Sequence, residues 1–141
     1  MAWDGTLQST TLLSTESALA DNTISAASAE VDNSSNLDTI GFIEISASTW
    51  ATAPDDDFPT LDVYFTAAPD GTNHGNAPLT GGANQETLLA ISIPIQKITS
   101  AQRIMSIAFA LPNAKLKYYA DNQTGQSLGA NYVIKLFSAS I

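Results

Sequence analysis

The chain has 141 residues, of which 44% are hydrophobic, 13% are charged and none is cysteine. At this length one domain is expected, able to bury roughly 68–70% of its unfolded surface. The missing thiols exclude disulfide scaffolds, zinc fingers, iron–sulfur sites and cysteine nucleophiles.

Leu, Ile, Val and Phe together make up about 23% of the chain, just above the level associated with disorder, so a fold with a lean core is expected. The net charge of −9 is unevenly spread. Residues 1–96 hold no Lys or Arg, and all five basic residues (Lys97, Arg103, Lys115, Lys117 and Lys135) follow. So acidic a chain repels phosphate backbones, and nucleic acid is not expected as a partner. Met1–Thr6 carries no basic or apolar run of the secretory kind. The longest apolar stretch, Leu88–Ile95, falls far short of the ~20 residues of a membrane helix. A soluble product made in a cytoplasm is expected, with no membrane partner.

Along the chain, helical periodicity is nearly absent and two-residue alternation recurs. Thr6–Leu13 alternates weakly, and Ala26–Val31 reads as a brief helix or a weak strand. Thr39–Thr49 sets Ile43, Ile45 and Ala47 on one face, against Glu44, Ser46 and Ser48. Thr60–Ala67 turns Leu61, Val63 and Phe65 inward and Asp62, Tyr64 and Thr66 outward. Glu86–Gln96 carries Leu89, Ile91, Ile93 and Ile95 on one side, with Pro94 marking an edge or a bulge. A helical turn capped by Ser100 is expected at Ser100–Arg103, followed by a strand over Arg103–Leu111. Lys115–Asn122 and Tyr132–Ser138 complete the set, the last apolar on both faces and therefore central. Segments rich in Gly, Pro, Asn and Asp separate these runs, Pro69–Gly82 being the longest.

Eight short antiparallel strands with little helix predict an all-β, two-sheet sandwich; an eight-stranded jelly roll fits the count, and an immunoglobulin-like sandwich, without its Cys–Trp–Cys core, is the runner-up. Residues 1–36 are polar and poorly periodic, and read either as a docking arm that orders on contact or as the first strands. Residues 37–141 form the sandwich body.

Candidate chemistry is sparse. His74, the single histidine, sits in a glycine-flanked loop with no Gly-x-Ser-x-Gly elbow elsewhere in the chain. A lone imidazole without thiolates makes a poor metal site, and no catalytic residue, metal or cofactor is assigned. Asp55–Asp57 lacks the spacing of a calcium loop and reads as a solvated tip between Pro54 and Pro59. Glu44 and Asp62, on strands taken as neighbours, read as solubilising acids rather than a glycosidase pair. Among the aromatics, Trp3, Trp50, Tyr118, Tyr119 and Tyr132 read mainly as core. Tyr119 beside Lys115 and Lys117, and Trp50, are the candidate contact residues.

Four stretches carry a resemblance when taken together. They are the Ser/Thr/Ala-rich opening through Ala18–Val31, Leu61-Asp-Val-Tyr-Phe-Thr-Ala-Ala-Pro-Asp-Gly-Thr-Asn73, Ile104-Met-Ser-Ile-Ala-Phe-Ala-Leu-Pro112 and Lys117-Tyr-Tyr-Ala-Asp-Asn-Gln-Thr-Gly-Gln-Ser-Leu128. In order and spacing the set resembles small virion structural proteins of tailed bacteriophages, of the jelly-roll cement or decoration type. The resemblance implies a non-enzymatic protein on the outside of the phage head. It also implies a homo-oligomer, a trimer, that binds the major capsid protein shell across neighbouring subunits. The alternatives carried from the residues are a carbohydrate-binding sandwich with an exposed aromatic platform near Trp50 or Tyr119, and a tail or fibre module.

Overall fold

A computed structural model describes residues 7–14, 18–78 and 89–140. The strands are β1 (Gln8–Ser14), β2 (Thr23–Ile24), β3 (Val31–Asp32), β4 (Ile40–Ala47), β5 (Thr60–Ala68), β6 (Leu89–Pro94), β7 (Gln102–Met105), β8 (Phe109–Ala110), β9 (Lys115–Gln123) and β10 (Val133–Ala139). One helical turn, α1 (Asn33–Asn36), follows β3, with the Asp32 carboxylate accepting the Ser34 N–H as its cap.

All pairings are antiparallel, and they are nested like a folded hairpin. β1 pairs with β10, β2 and β3 with β9, β4 with β7 and β8, and β5 with β6. Contacts of β10 with β4, and of β9 with β5, gather these pairs into two sheets. The first runs β1-β10-β4 and ends on β7 and β8; the second runs from β2 and β3 through β9-β5-β6. With β2/β3 and β7/β8 each counted as one interrupted edge strand, this is the order of an eight-stranded jelly roll.

The core lies between the sheets. Ile43, Ile45, Leu61, Val63, Leu116, Tyr118, Ile134 and Leu136 are fully enclosed there. Each buried aliphatic side chain contributes about 1.5–3 kcal/mol relative to an exposed one. Within 1–36, residues 8–14, 23–24 and 31–32 add strands to both sheets, whereas 1–6 and 15–17 lie outside the described residues, Trp3 among them.

Both interrupted edges owe their breaks to serine. Along β9, Ser25 and Ser28 donate their N–H groups to Ala120 O and Tyr118 O, each at 2.8 Å. Their hydroxyls then accept the Ala120 and Tyr118 N–H groups at 2.9 Å, where a strand would offer carbonyls. Residues 26–30 therefore follow β9 without forming the helix or continuous strand considered for Ala26–Val31. Ser106 repeats the device on β4, its N–H reaching Ile43 O at 2.8 Å and its hydroxyl accepting Ile43 N–H at 2.9 Å. The single strand expected over Arg103–Leu111 is consequently split into β7 and β8. The helical turn expected at Ser100–Arg103 is absent too: Gln102 already pairs with Ala47 in β7, and its side chain holds both backbone groups of Gln96 at 2.9 Å.

Two asparagines close the ends of the sandwich. Asn33 donates to Asp38 O and Pro112 O, both at 2.8 Å, and accepts Asp38 N–H at 3.0 Å. At the opposite end Asn122 donates to Leu19 O and Gln126 O, and accepts both the N–H and the hydroxyl of Thr124. Both side chains are buried and fully bonded, so each ties loops that are remote in sequence. At the Asn33 end the exposed Leu37 adopts a left-handed φ of 56° to end α1, its N–H donating to Asn33 O at 3.0 Å.

Candidate functional site

The contact residues expected from sequence do not form an exposed platform. β9 alternates Leu116, Tyr118 and Ala120 inward, so Lys115, Lys117, Tyr119 and Asp121 share the outer face of the second sheet. There Tyr119 stands directly opposite Tyr64 of β5 and is only 8% exposed, which corrects its reading as a solvent-facing contact. Trp50 is 4% exposed and sits elsewhere, in the β4–β5 loop, where its backbone N–H donates to Thr99 O at 2.9 Å. Tyr64 and Thr66, expected to face solvent, are buried as well. Residues 73–75 are pinned alongside: Gly75 N–H donates to Ala67 O and the His74 ring packs against Thr66 O.

His74 is committed to structure. Its Nε2 lies 2.8 Å from Glu30 Oε2 and its Nδ1 lies 3.3 Å from Thr66 O. Both neighbours only accept, so the ring donates to one or the other according to its tautomer and is held between Glu30 and β5. Lys115 Nζ stands 3.6 Å from the other oxygen of Glu30. The His74 hydrogen bond, opposed by desolvation and aided by the Lys115 charge, holds the Glu30 carboxyl below its ordinary value.

The carboxylates are similarly engaged or apart. Glu44 and Asp62 project from different sheets, not from neighbouring strands, so they share no cleft. Glu44 is buried and receives Arg103 Nε at 2.9 Å and Nη2 at 2.8 Å, so it is an ion-pair partner, not a solubilising acid. Asp55 accepts the Gln126 amide at 3.0 Å, and Asp56 accepts the Asp57 N–H at 2.7 Å. Backbone bonds from Asn73 and Thr72, with the Asn73 amide, bring Asp70 down to about 2. Among the described residues, no group of three or more acids and imidazoles is placed to hold a metal ion.

Asp121 is the exception. Its side chain is buried opposite Asp62, and desolvation pushes its carboxyl above the ordinary value; the Gln123 amide opposes this, and the Asp62 and Asp21 charges add to it. A raised folded-state value means the group favours folding below the unfolded value of 3.8, and that favour is lost as pH rises through the folded value. Asp121→Asn is therefore expected to raise the melting temperature at pH 7 by about 2–4 °C, with the gain closing below about pH 4. Melts at the two pH values check this; a gain that persists in acid contradicts it.

A cleft of about 450 Å³ opens between the sheets beside β1, lined by Leu12, Leu19, Ile24 and Tyr132 with Ser14 and Ser25. Among the described residues that line it, none is charged. The Ser25 hydroxyl already bonds Ala26 O and Ala120 N–H, and burial raises the Tyr132 phenol.

No family model, curated protein or solved structure matches this chain.

Several large apolar side chains lie on the exterior. On the first sheet, inward Ile43, Ile45, Ile134 and Leu136 force Phe42, Val133 and Phe137 outward, and the register sets Phe42 directly opposite Phe137. Met105 stands 48% exposed next to Glu44, and Ile107 is 76% exposed in the break between β7 and β8. Phe58, at the tip of the β4–β5 loop, is 87% exposed. The signal for the sheet face was present in Tyr132–Ser138, whose second apolar face is left on the outside.

Proposed function

We propose that this chain is a non-enzymatic structural protein of a tailed-phage virion, a cement or decoration protein on the outside of the head. In this reading it acts as a homo-oligomer, bound across neighbouring subunits of the major capsid protein shell. The observation that carries the reading is a braced β-sandwich with large apolar side chains on its exterior. Phe58, Met105 and Ile107 stand out from a scaffold whose loop ends are locked by Asn33 and Asn122. Such a surface suits contact with other proteins. The sequence resemblance points to the same class.

A cement protein binds the assembled lattice and not the free subunit, so its binding free energy adds to shell stability by mass action. Several copies bridging several subunits gain avidity without any single strong contact. The carbohydrate-binding alternative draws no support from Trp50 or Tyr119, since neither ring is presented to solvent.

The test uses heads assembled from the major capsid protein of the genome that encodes this chain. Saturable co-sedimentation at micromolar protein, and heads that resist heating better when decorated, are the expected results. Absence of binding overturns the proposal. Gold-labelled antibody that marks the tail instead of the head overturns the location.

A further inference from the structure

Two exposed apolar patches carry opposite charge. The outer face of the first sheet carries the half-buried Phe42 and Phe137 and the exposed Met105, with Arg103 and the half-buried Lys135, and the exposed Ile107 lies in the break between β7 and β8. Among the described residues of this sheet's outer face the acid is Glu44, buried under Arg103, whose own side chain remains 74% exposed. Lys135 makes no ion pair among the described residues. In a chain of net charge −9 this face is locally cationic.

The loop between β4 and β5 has the reverse character. Phe58 follows Asp55, Asp56 and Asp57, all exposed, and the exposed Lys97 and Ile98 lie on the β6–β7 loop at the same end, which with three acids against one base remains acidic. The tip is braced, not slack. Asp55 and Asp56 donate their N–H groups to Thr124 O, and the Gln126 amide holds the Asp55 carboxylate.

We infer that the acidic Phe58 tip of one copy docks on the cationic Phe42–Phe137 face of a second copy. Charge decides between the possible pairings. Face against face brings Arg103 and Lys135 of both copies together, and tip against tip brings two Asp55–Asp57 runs together; both arrangements repel. Face against tip sets Asp56 and Asp57 near Arg103 and Lys135 while Phe58 covers the apolar ground. Because the two surfaces differ, the contact is heterologous: it produces a ring where the rotation closes and a filament where it does not. This inference concerns copies of the chain alone and does not rest on the shell-binding reading.

The test is the mass of the full chain in solution, by sedimentation equilibrium, against the monomer mass of 14.8 kDa. At about 100 µM in low salt the wild type is expected at twice the monomer mass or more, and near the monomer mass in about 1 M salt, where charges are screened within ~3 Å. Phe58→Ser and Ile107→Asp alter exposed side chains, and circular dichroism is expected to be unchanged. Each is expected to be monomeric alone. Mixed, they should form a one-to-one dimer and stop, since the intact tip of one meets the intact face of the other. A monomeric wild type overturns the inference, as does a Phe58→Ser protein of unchanged mass or a mixture that stays monomeric.

Discussion

Asn122→Ala is expected to lower the free energy of unfolding by about 3–4 kcal/mol, more than any ordinary surface substitution. Its carboxamide makes four hydrogen bonds in a site closed to water: to Leu19 O at 2.9 Å, to Gln126 O at 2.8 Å, from Thr124 N at 3.2 Å and from Thr124 Oγ1 at 2.7 Å. At about 1 kcal/mol for each bond the sum is near 4, and it is tempered because Leu19 O keeps the Leu128 N–H and the single Thr124 hydroxyl proton, released from Asn122, can turn to Gln126 O. Urea denaturation checks the figure, with the slope unchanged if the folded state is otherwise intact. A loss below about 1 kcal/mol would falsify the role of this side chain as a latch. Asn122→Asp is a sharper version, because it turns a donor into a charge that faces two carbonyl oxygens.

The second large effect is expected at Gly125. Its φ of +81° costs an L-residue about 1–2 kcal/mol, and an added Cβ would press on Asp55 Oδ1 while lying 2.8 Å from Asp56 N. The carboxylate can swing aside, but the Asp56 backbone is fixed by its bond to Thr124 O. Gly125→Ala should therefore cost about 2–4 kcal/mol and loosen the 55–58 loop. Gly71 provides the control: its φ is +78°, yet no atom lies within 4 Å of the added Cβ. Gly71→Ala should show the conformational cost alone, about 1–2 kcal/mol. Equal losses at the two positions would mean that the crowding at Asp56 has no energetic weight.

The strands were legible because an inward Ile, Leu or Val at every second residue can be buried in one way only, as in Ile43-Glu-Ile45 and Leu61-Asp-Val63. Pro94 was legible for a similar reason: it ends β6, an edge strand, where its missing N–H costs no ladder bond. Long-range polar partners were not legible. Asn33, Asn122, Ser25, Ser28 and Ser106 look like turn residues, since each is a good local hydrogen-bond former. Their actual partners, such as Pro112 O for Asn33 and Tyr118 N–H for Ser28, lie about 80–90 positions away and leave no periodic trace. The same blindness hid the burial of Tyr119, which follows from its placement opposite Tyr64 rather than from anything nearby in sequence. For the surface, the apolar outer side of β10 was visible as a two-faced strand, but its exposure depended on sheet order. The part of the Pro69–Gly82 loop beyond residue 78, and residues 86–88 of the run toward β6, lie outside the described residues.

The nesting of the hairpin has a consequence for biosynthesis. β10 lies between β1 and β4 at the middle of its sheet, yet it is translated after both. While the ribosome is still reading toward residue 133, the two halves of that sheet have no shared neighbour, and their backbone edges stay open. Final assembly must therefore wait for release of this strand from the exit tunnel, and its long loop closures place it among slow folders, with times of about milliseconds to seconds. During that interval a nascent chain has the partially built edges that chaperones recognise.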